Sequence, residues 1–346
     1  MLAVTLASAT PIAAADHSDD DNGYSVTALV SNNAALAPSV DAHLVNAWGL
    51  VAGPATPWWV SDNGVDLSTL YTAAGNKIGL EVAVAGAPTG IVFNGAATSF
   101  LIGGARARFI FSTESGTIAG WNGTGPARVM VDSSEAGAVY KGLAIASTPT
   151  GPQLYATDFH NARIDVFNDT WGAVASSEAF VDRKIPAGYA PFGIQTIGAR
   201  IFVTYAKQAE GAKDEVDGRG LGFVDAFDAA GNLLAHVARH GQLNAPWGLA
   251  MAPNNFGRFS GDLLVGNFGD GHVNAYRETD DGRFEHAGTL RTEDGHKLVI
   301  DGLWALEFGN GAANNGPTNT LFFTAGPNGE ADGLFGTITA LPPEED

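Results

Sequence analysis

The chain has 346 residues and no cysteine, which excludes disulfides, thiolate metal sites and a cysteine nucleophile. Its 37 acidic against 18 basic residues give a formal net charge of −19, which argues against nucleic acid or an anionic membrane as partner, since both recruit clustered Lys and Arg. An apolar share of 45% with 45 glycines and 16 prolines fits a real core made of many short strands and tight turns.

Residues 1–15, MLAVTLASATPIAAA, form a short apolar stretch ending in small residues, without a basic start, and read as a secretory signal. An acidic linker, 16–22, follows. The stretch is shorter than the roughly 20 residues that a spanning helix needs, and no later apolar run approaches that length. The expectation is therefore an export product, secreted or periplasmic/extracellular, with no membrane span.

Residues 24–30, YSVTALV, alternate as a strand with no partner close in sequence. A motif of bulky or polar residue, then Gly, then Leu or Ile follows, and it recurs through the chain. Its copies are Trp48-Gly49-Leu50, Thr89-Gly90-Ile91, Lys141-Gly142-Leu143, Phe192-Gly193-Ile194, Trp247-Gly248-Leu249 and, with Ala for Gly, Trp304-Ala305-Leu306. Their spacing of 41 to 57 residues suits one four-stranded blade per copy.

Each copy is followed by a β-rich run closed by a polar residue: 58–62, 109–113, 154–158, 201–205, 263–267 and 321–325. A third strand then alternates apolar with polar residues, most clearly at 163–167. The pattern predicts an all-β fold, a six-bladed β-propeller over 23–341, with 342–346 as an acidic tail. The final blade lacks an outermost strand after 334–341, so the strand at 24–30 is expected to complete it and close the ring. The motif glycine is expected to let neighbouring blades approach where the ring narrows.

Loops on one propeller face surround the tunnel mouth, and convergent loops on a rigid ring are where a ligand site is expected. Asp62, Asp158, His160, Asn267, Asp270 and Asp301 fall in or beside such loops and are candidate ligands for a divalent cation such as calcium, although Asp and Asn are also ordinary turn residues. Asp158 and His160 are the candidate catalytic pair, as acid, base or metal ligand. Trp48, Phe192, Trp247 and Trp304 share one repeat position and are read either as an aromatic collar for a flat or sugar-like ligand or as inter-blade packing. Tyr189, Lys207 and Gln208 join the candidate ligand contacts. Lys207 and Gln208 open a long charged segment, 206–220, in place of a tight turn, a candidate lid or clamp. Hydrolase elbow, zincin, P-loop, dinucleotide and complete EF-hand signatures are all missing.

The run from Leu154 to Asp158 with Asn161-Ala162-Arg163-Ile164-Asp165-Val166-Phe167 resembles NHL-type propeller repeats. With Gly86 to Gly95, Tyr189-Ala190-Pro191-Phe192, Tyr205-Ala206-Lys207-Gln208 and Leu264 to Gly271, the chain is similar over 24–341 to a family of exported microbial propellers known as conserved hypothetical proteins. That resemblance implies fold and export but no reaction. Some members carry a PEP-CTERM sorting tail, which the ending Pro342-Pro343-Glu344-Glu345-Asp346 does not match, so surface retention by that route is not expected. Broader relatives of this fold, the gluconolactonase and regucalcin group, hold a divalent metal in the central tunnel, but their ligand motifs do not transfer to residues here. Two functions follow as expectations: an exported module binding a small molecule, carbohydrate or extracellular protein at the mouth, or a divalent-metal-dependent hydrolase or lyase with its site at the tunnel. A purely structural role in matrix or envelope is a third possibility.

Overall fold

A computed structural model describes residues 23–174 and 178–342; the signal-like segment, the acidic linker and most of the acidic tail lie outside them. Six sheets whose blade strands pair antiparallel stand around one axis as a β-propeller. The repeat motif sits on the innermost strand of every blade. These strands are Ala47–Val51, Pro88–Phe93, Tyr140–Thr148, Tyr189–Ile197, Pro246–Met251 and Leu303–Phe308, and they number the blades one to six. The expected second strands follow as Trp58–Asp62, Phe109–Thr113, Gly151–Asp158, Arg200–Gln208, Leu263–Asn267 and Thr320–Ala325.

Ring closure follows the sequence expectation. Tyr24–Ser31 pairs antiparallel with Leu334–Ala340, in register Tyr24↔Ala340 and Val26↔Ile338, and becomes the outer strand of blade six. Tyr24 is buried there, its ring 5.1 Å from that of Phe256 and its hydroxyl donating to the Phe256 carbonyl at 3.0 Å. One hydrophobic core thus includes the outer strand of the last blade and the blade before it.

The motif glycines explain the inner ring. In each blade the register between first and second strands shifts at the motif, so each inner strand carries a bulge there. A Cβ on Gly193 would lie 2.1 Å from the Trp247 carbonyl oxygen of the next blade, and one on Gly90 2.3 Å from the Leu143 nitrogen. A side chain at these positions would force the blades apart. Hydroxyls of the second strands close the gaps that the bulges leave: Thr204 Oγ1 accepts from the Gly193 amide at 2.8 Å, and Thr157 Oγ1 donates to the Phe192 carbonyl of the next blade at 2.7 Å.

Blade four departs from the others. Between its second strand and Gly222–Phe227 lies the predicted long segment, and a short strand within it, Glu215–Val216, pairs back onto Lys207 and Gln208. The extension is therefore anchored at its base.

Candidate functional site

Because the motif lies near the start of each inner strand, its first residues meet at the axis. Trp48 stacks on Trp304 with centroids 3.7 Å apart, Trp247 meets Trp304 edge-on at 5.8 Å, and Phe192 does the same at 5.8 Å. Phe268 covers the other side of Trp304 at 4.1 Å. Trp48, Phe192 and Trp304 are at most 2% exposed and Trp247 is 9% exposed. The four aromatics form a plug across the axis, with their faces spent on one another as in inter-blade packing. Beneath the plug the channel narrows to a cavity of about 20 Å³ bounded by the motif's Gly and Leu or Ile positions, room for about one water. Gln195 Nε2 donates to Glu307 Oε2 at 2.9 Å in that lower channel.

One motif residue is charged. Lys141 is 2% exposed, and its ammonium lies 5.0 Å from the Trp48 ring centroid. It donates to Glu114 Oε1 at 2.7 Å and to Asp214 Oδ1 at 3.4 Å. Asn63 supports Glu114 at 3.3 Å, and Asn46 donates to Asn63 at 3.2 Å and to Glu330 Oε2 at 2.5 Å while accepting from Trp304 Nε1 at 3.1 Å. Trp247 Nε1 donates to the Lys141 carbonyl at 3.0 Å. The network draws on loops or inner strands of all six blades, and it rests on the aromatic plug. Asp214 and Glu215 belong to the long blade-four segment, so that segment reaches over the mouth and ends on Lys141.

Carboxylates outnumber the cation here. Burial would discharge Lys141, but Glu114 and Glu215 outweigh it and hold its pKa above the ordinary lysine value. Burial also raises Glu114, yet the charge and hydrogen bond of Lys141 overcome it and bring the carboxyl below its ordinary value. Glu215 is pushed up to about 7 by burial, with Lys141 pulling back incompletely. Glu330 is raised for the same reason, its bond from Asn46 notwithstanding. One ammonium thus satisfies Glu114 and leaves Glu215 and Glu330 short of positive charge.

The other sequence candidates sit elsewhere. Asp62 is buried within blade one beside Thr69, and burial, only partly offset by Thr69, raises its pKa well above the ordinary value. Asp158 is wholly buried, but its oxygens are spent inside its own turn, accepting from Asn161 Nδ2 at 2.7 Å and from the Val139 and Asn161 amides at 3.2 Å. His160 is exposed, and its carbonyl receives Gln208 Nε2 at 3.3 Å. Gln208 also donates to the Phe159 carbonyl at 2.6 Å, which pins the start of the blade-four segment, while Lys207 is exposed. Asn267 holds Asp270 at 3.0 Å, and Asp301 is exposed and caps the Asn328 amide at 2.8 Å. Tyr189 packs edge-on against Phe223 at 4.9 Å, away from the plug. Among the described residues, the carboxylate and histidine groups close enough to share one ion are Asp41 with His43 and Glu81, and Asp182 with Asp225 and His236. Asp62, Asp158, His160, Asp270 and Asp301 are in neither group. Asn46, Asn63, Glu114 and Lys141 fall on loops that the sequence places at the mouth, and Glu215 in the long blade-four segment; the network residue that sequence reading missed is Glu330.

No protein-family model matches the chain. Among solved structures, virginiamycin B lyase from Staphylococcus aureus superposes with a TM-score of 0.53 at 13% identity, covering 92% of this chain and 100% of that one. The WD40 domain of Neurospora crassa Pan2 does so with a TM-score of 0.50 at 10% identity, covering 95% and 98%. At such identities the likeness is one of fold, and it is a propeller fold. By sequence, two uncharacterised proteins of Acanthamoeba polyphaga mimivirus are 30% and 31% identical over 334 residues, covering 91% of this chain and 80% and 85% of theirs. The chain belongs to the family of propellers that includes these two viral proteins.

Proposed function

We propose that the mouth face is a recognition site for a cationic ligand, an amine-bearing small molecule or a basic side chain of an extracellular protein. The observation that carries this reading is the charge imbalance around Lys141: Glu215 and Glu330 are half-buried carboxylates held above their ordinary values, and the one nearby ammonium only partly offsets this for both. An incoming ammonium placed between them would gain two charge-assisted hydrogen bonds, with Asn46 and Asn63 holding the adjoining groups in place. The blade-four segment would move with it, since Asp214 and Glu215 both lie on that segment. The export inferred from residues 1–15 belongs to the same reading, for a mouth open to extracellular solutes.

The alternative, a tunnel metal serving a hydrolase or lyase, has less to draw on. The Lys141 ammonium already occupies the space between Glu114 and Asp214 where such an ion would bind, and the aromatic plug closes the axis directly below. Titration calorimetry with 1,4-diaminobutane against 1,4-butanediol tests the proposal. The diamine is expected to bind and the diol not, with binding weakened on the order of tenfold by Glu330→Gln, the loss of one charge-assisted bond. Equal heats for diamine and diol, or binding indifferent to that substitution, would show the mouth to be a structural network alone.

A further inference from the structure

Away from the axis, blades three and four enclose a second cluster. Asp182 lies on the connection between them, Asp225 on the third strand of blade four, and His236 and Arg239 on its outer strand Leu233–Arg239. His236 Nδ1 is 3.0 Å from Asp225 Oδ1 and 3.5 Å from Asp182 Oδ2. These are the spacings of atoms around a common centre: ligands about 2.0 to 2.2 Å from a transition-metal ion stand roughly 3.0 to 3.5 Å from one another. A single nitrogen, Nη2 of Arg239, lies against two of these groups. It bonds Asp182 Oδ2, lies 2.6 Å from His236 Nδ1 and 3.8 Å from Asp225 Oδ1.

The arginine does not satisfy what surrounds it. If His236 Nδ1 carries a proton, it can donate to Asp225, but the guanidinium 2.6 Å away is then a second donor facing a donor. If Nδ1 is bare it accepts from Arg239, and its lone pair then faces two carboxylate oxygens. The ammonium of Lys184, 3.4 Å from Nε2, favours the first tautomer and so sharpens the conflict. A divalent cation at the same centre takes a lone pair from all three groups and leaves no such clash.

A separate observation points the same way. The Tyr205 hydroxyl and Asp225 Oδ2 have no hydrogen-bond partner among the described residues, with Tyr205 5% exposed and the Asp225 side chain fully buried. Tyr205 feels the charges of Asp225, Asp182 and Arg239, so its hydroxyl belongs to this cluster. Buried polar atoms left unpaired cost roughly 1 to 3 kcal/mol each, and folds retain them where a ligand or ion uses them. A cleft of about 210 Å³, bordered by Asp182, Tyr189 and Tyr205, adjoins the cluster on its Asp182 side.

We infer that Asp182, Asp225 and His236 form a site for a first-row divalent cation of the zinc class in the cleft between blades three and four, with Arg239 as a displaceable stand-in. Two carboxylates and one imidazole suit such ions and leave coordination positions for further ligands. Arg239 is 26% exposed in its side chain and can swing outwards over Phe223, whose ring its guanidinium already faces at 5.6 Å. The other convergent group, Asp41, His43 and Glu81, is a control of the same composition type, with Lys77 bonded to its carboxylates at 2.7 and 2.6 Å. The site is independent of the mouth, so either proposal can fail alone.

Zinc titration of the full chain after chelator treatment tests the inference. One equivalent is expected to bind the unaltered protein, and His43→Gln should leave that binding unchanged. His236→Gln, at a half-exposed position, should weaken it by more than about 100-fold, beyond the 10–100-fold typical of a supporting partner. Asp225→Asn should do the same, with its melting curve recorded beside it to separate lost ligand from lost fold. Arg239→Met should tighten binding by removing the competing cation. The inference is overturned if the unaltered protein takes up no zinc, even should Arg239→Met do so, or if uptake persists in His236→Gln and disappears in His43→Gln.

Discussion

The two ends of the propeller axis are built from different parts of the sequence. The lower channel and the plug come from the repeat, which supplies every blade with the same bulge, the same close-packed small residue and an apolar neighbour. The mouth comes from what interrupts the repeat: one lysine in an apolar position, a loop of irregular length and carboxylates from distant turns. The first end is closed by geometry that tolerates little change. The second is held by charges that are not evenly matched, which is where a ligand has free energy to gain.

The sharpest way to break this contrast is at a motif glycine. Gly193→Ala would drive a Cβ to 2.1 Å from the Trp247 carbonyl and is expected to destabilise the fold by roughly 3 kcal/mol, read as a lowered denaturant midpoint. The reverse change in the last blade, Ala305→Gly, should cost no more than about 1 kcal/mol, and similar losses for the two would refute the close-approach account. At the mouth, Lys141→Met should cost about 2 kcal/mol, less than for a fully enclosed pair because Asp214 is exposed. The same variant should bind 1,4-diaminobutane more tightly, because Glu114 is released; unchanged stability together with unchanged affinity would remove Lys141 from the site.

A smaller effect distinguishes the lower end by its acid. Burial pushes Glu307 up to about 7, against an ordinary value of 4.5, its bond from Gln195 only partly offsetting this. An acid raised on folding stabilises fully at pH below about 4.5, and that contribution is lost as the pH climbs to about 7. Melting temperatures followed across this window should fall less for Glu307→Gln than for the unaltered chain. Parallel curves would mean that Glu307 stays hydrated in the channel.

Much of the architecture was legible because it rests on local, repeated signals. A Gly before Leu or Ile at blade-length intervals marked every inner strand, and the unpaired strand at the start named its partner at the end. The sites were less legible for an equally physical reason. Asp158 looked like a catalytic acid beside His160, yet a short turn lets Asn161 and the Val139 amide take its oxygens. Asp62 lies in the expected loop position, but its strand turns it inwards. Lys141 draws on Glu114 and Asp214, and His236 on Asp182, across separations that no local pattern encodes. The aromatic repeat position was visible, whereas its collapse into a plug depended on the diameter of the closed ring.

Closure through the chain's two ends also fixes an order of events. Ser31 donates to the carbonyl of Gly333, a partner 302 residues later, so the Tyr24–Ser31 strand is made long before the strand it pairs with. Until the final segment exists, that strand has no sheet to join and the outer edge of the last blade has no cover. Completion of the circle therefore waits for the Leu334–Ala340 strand.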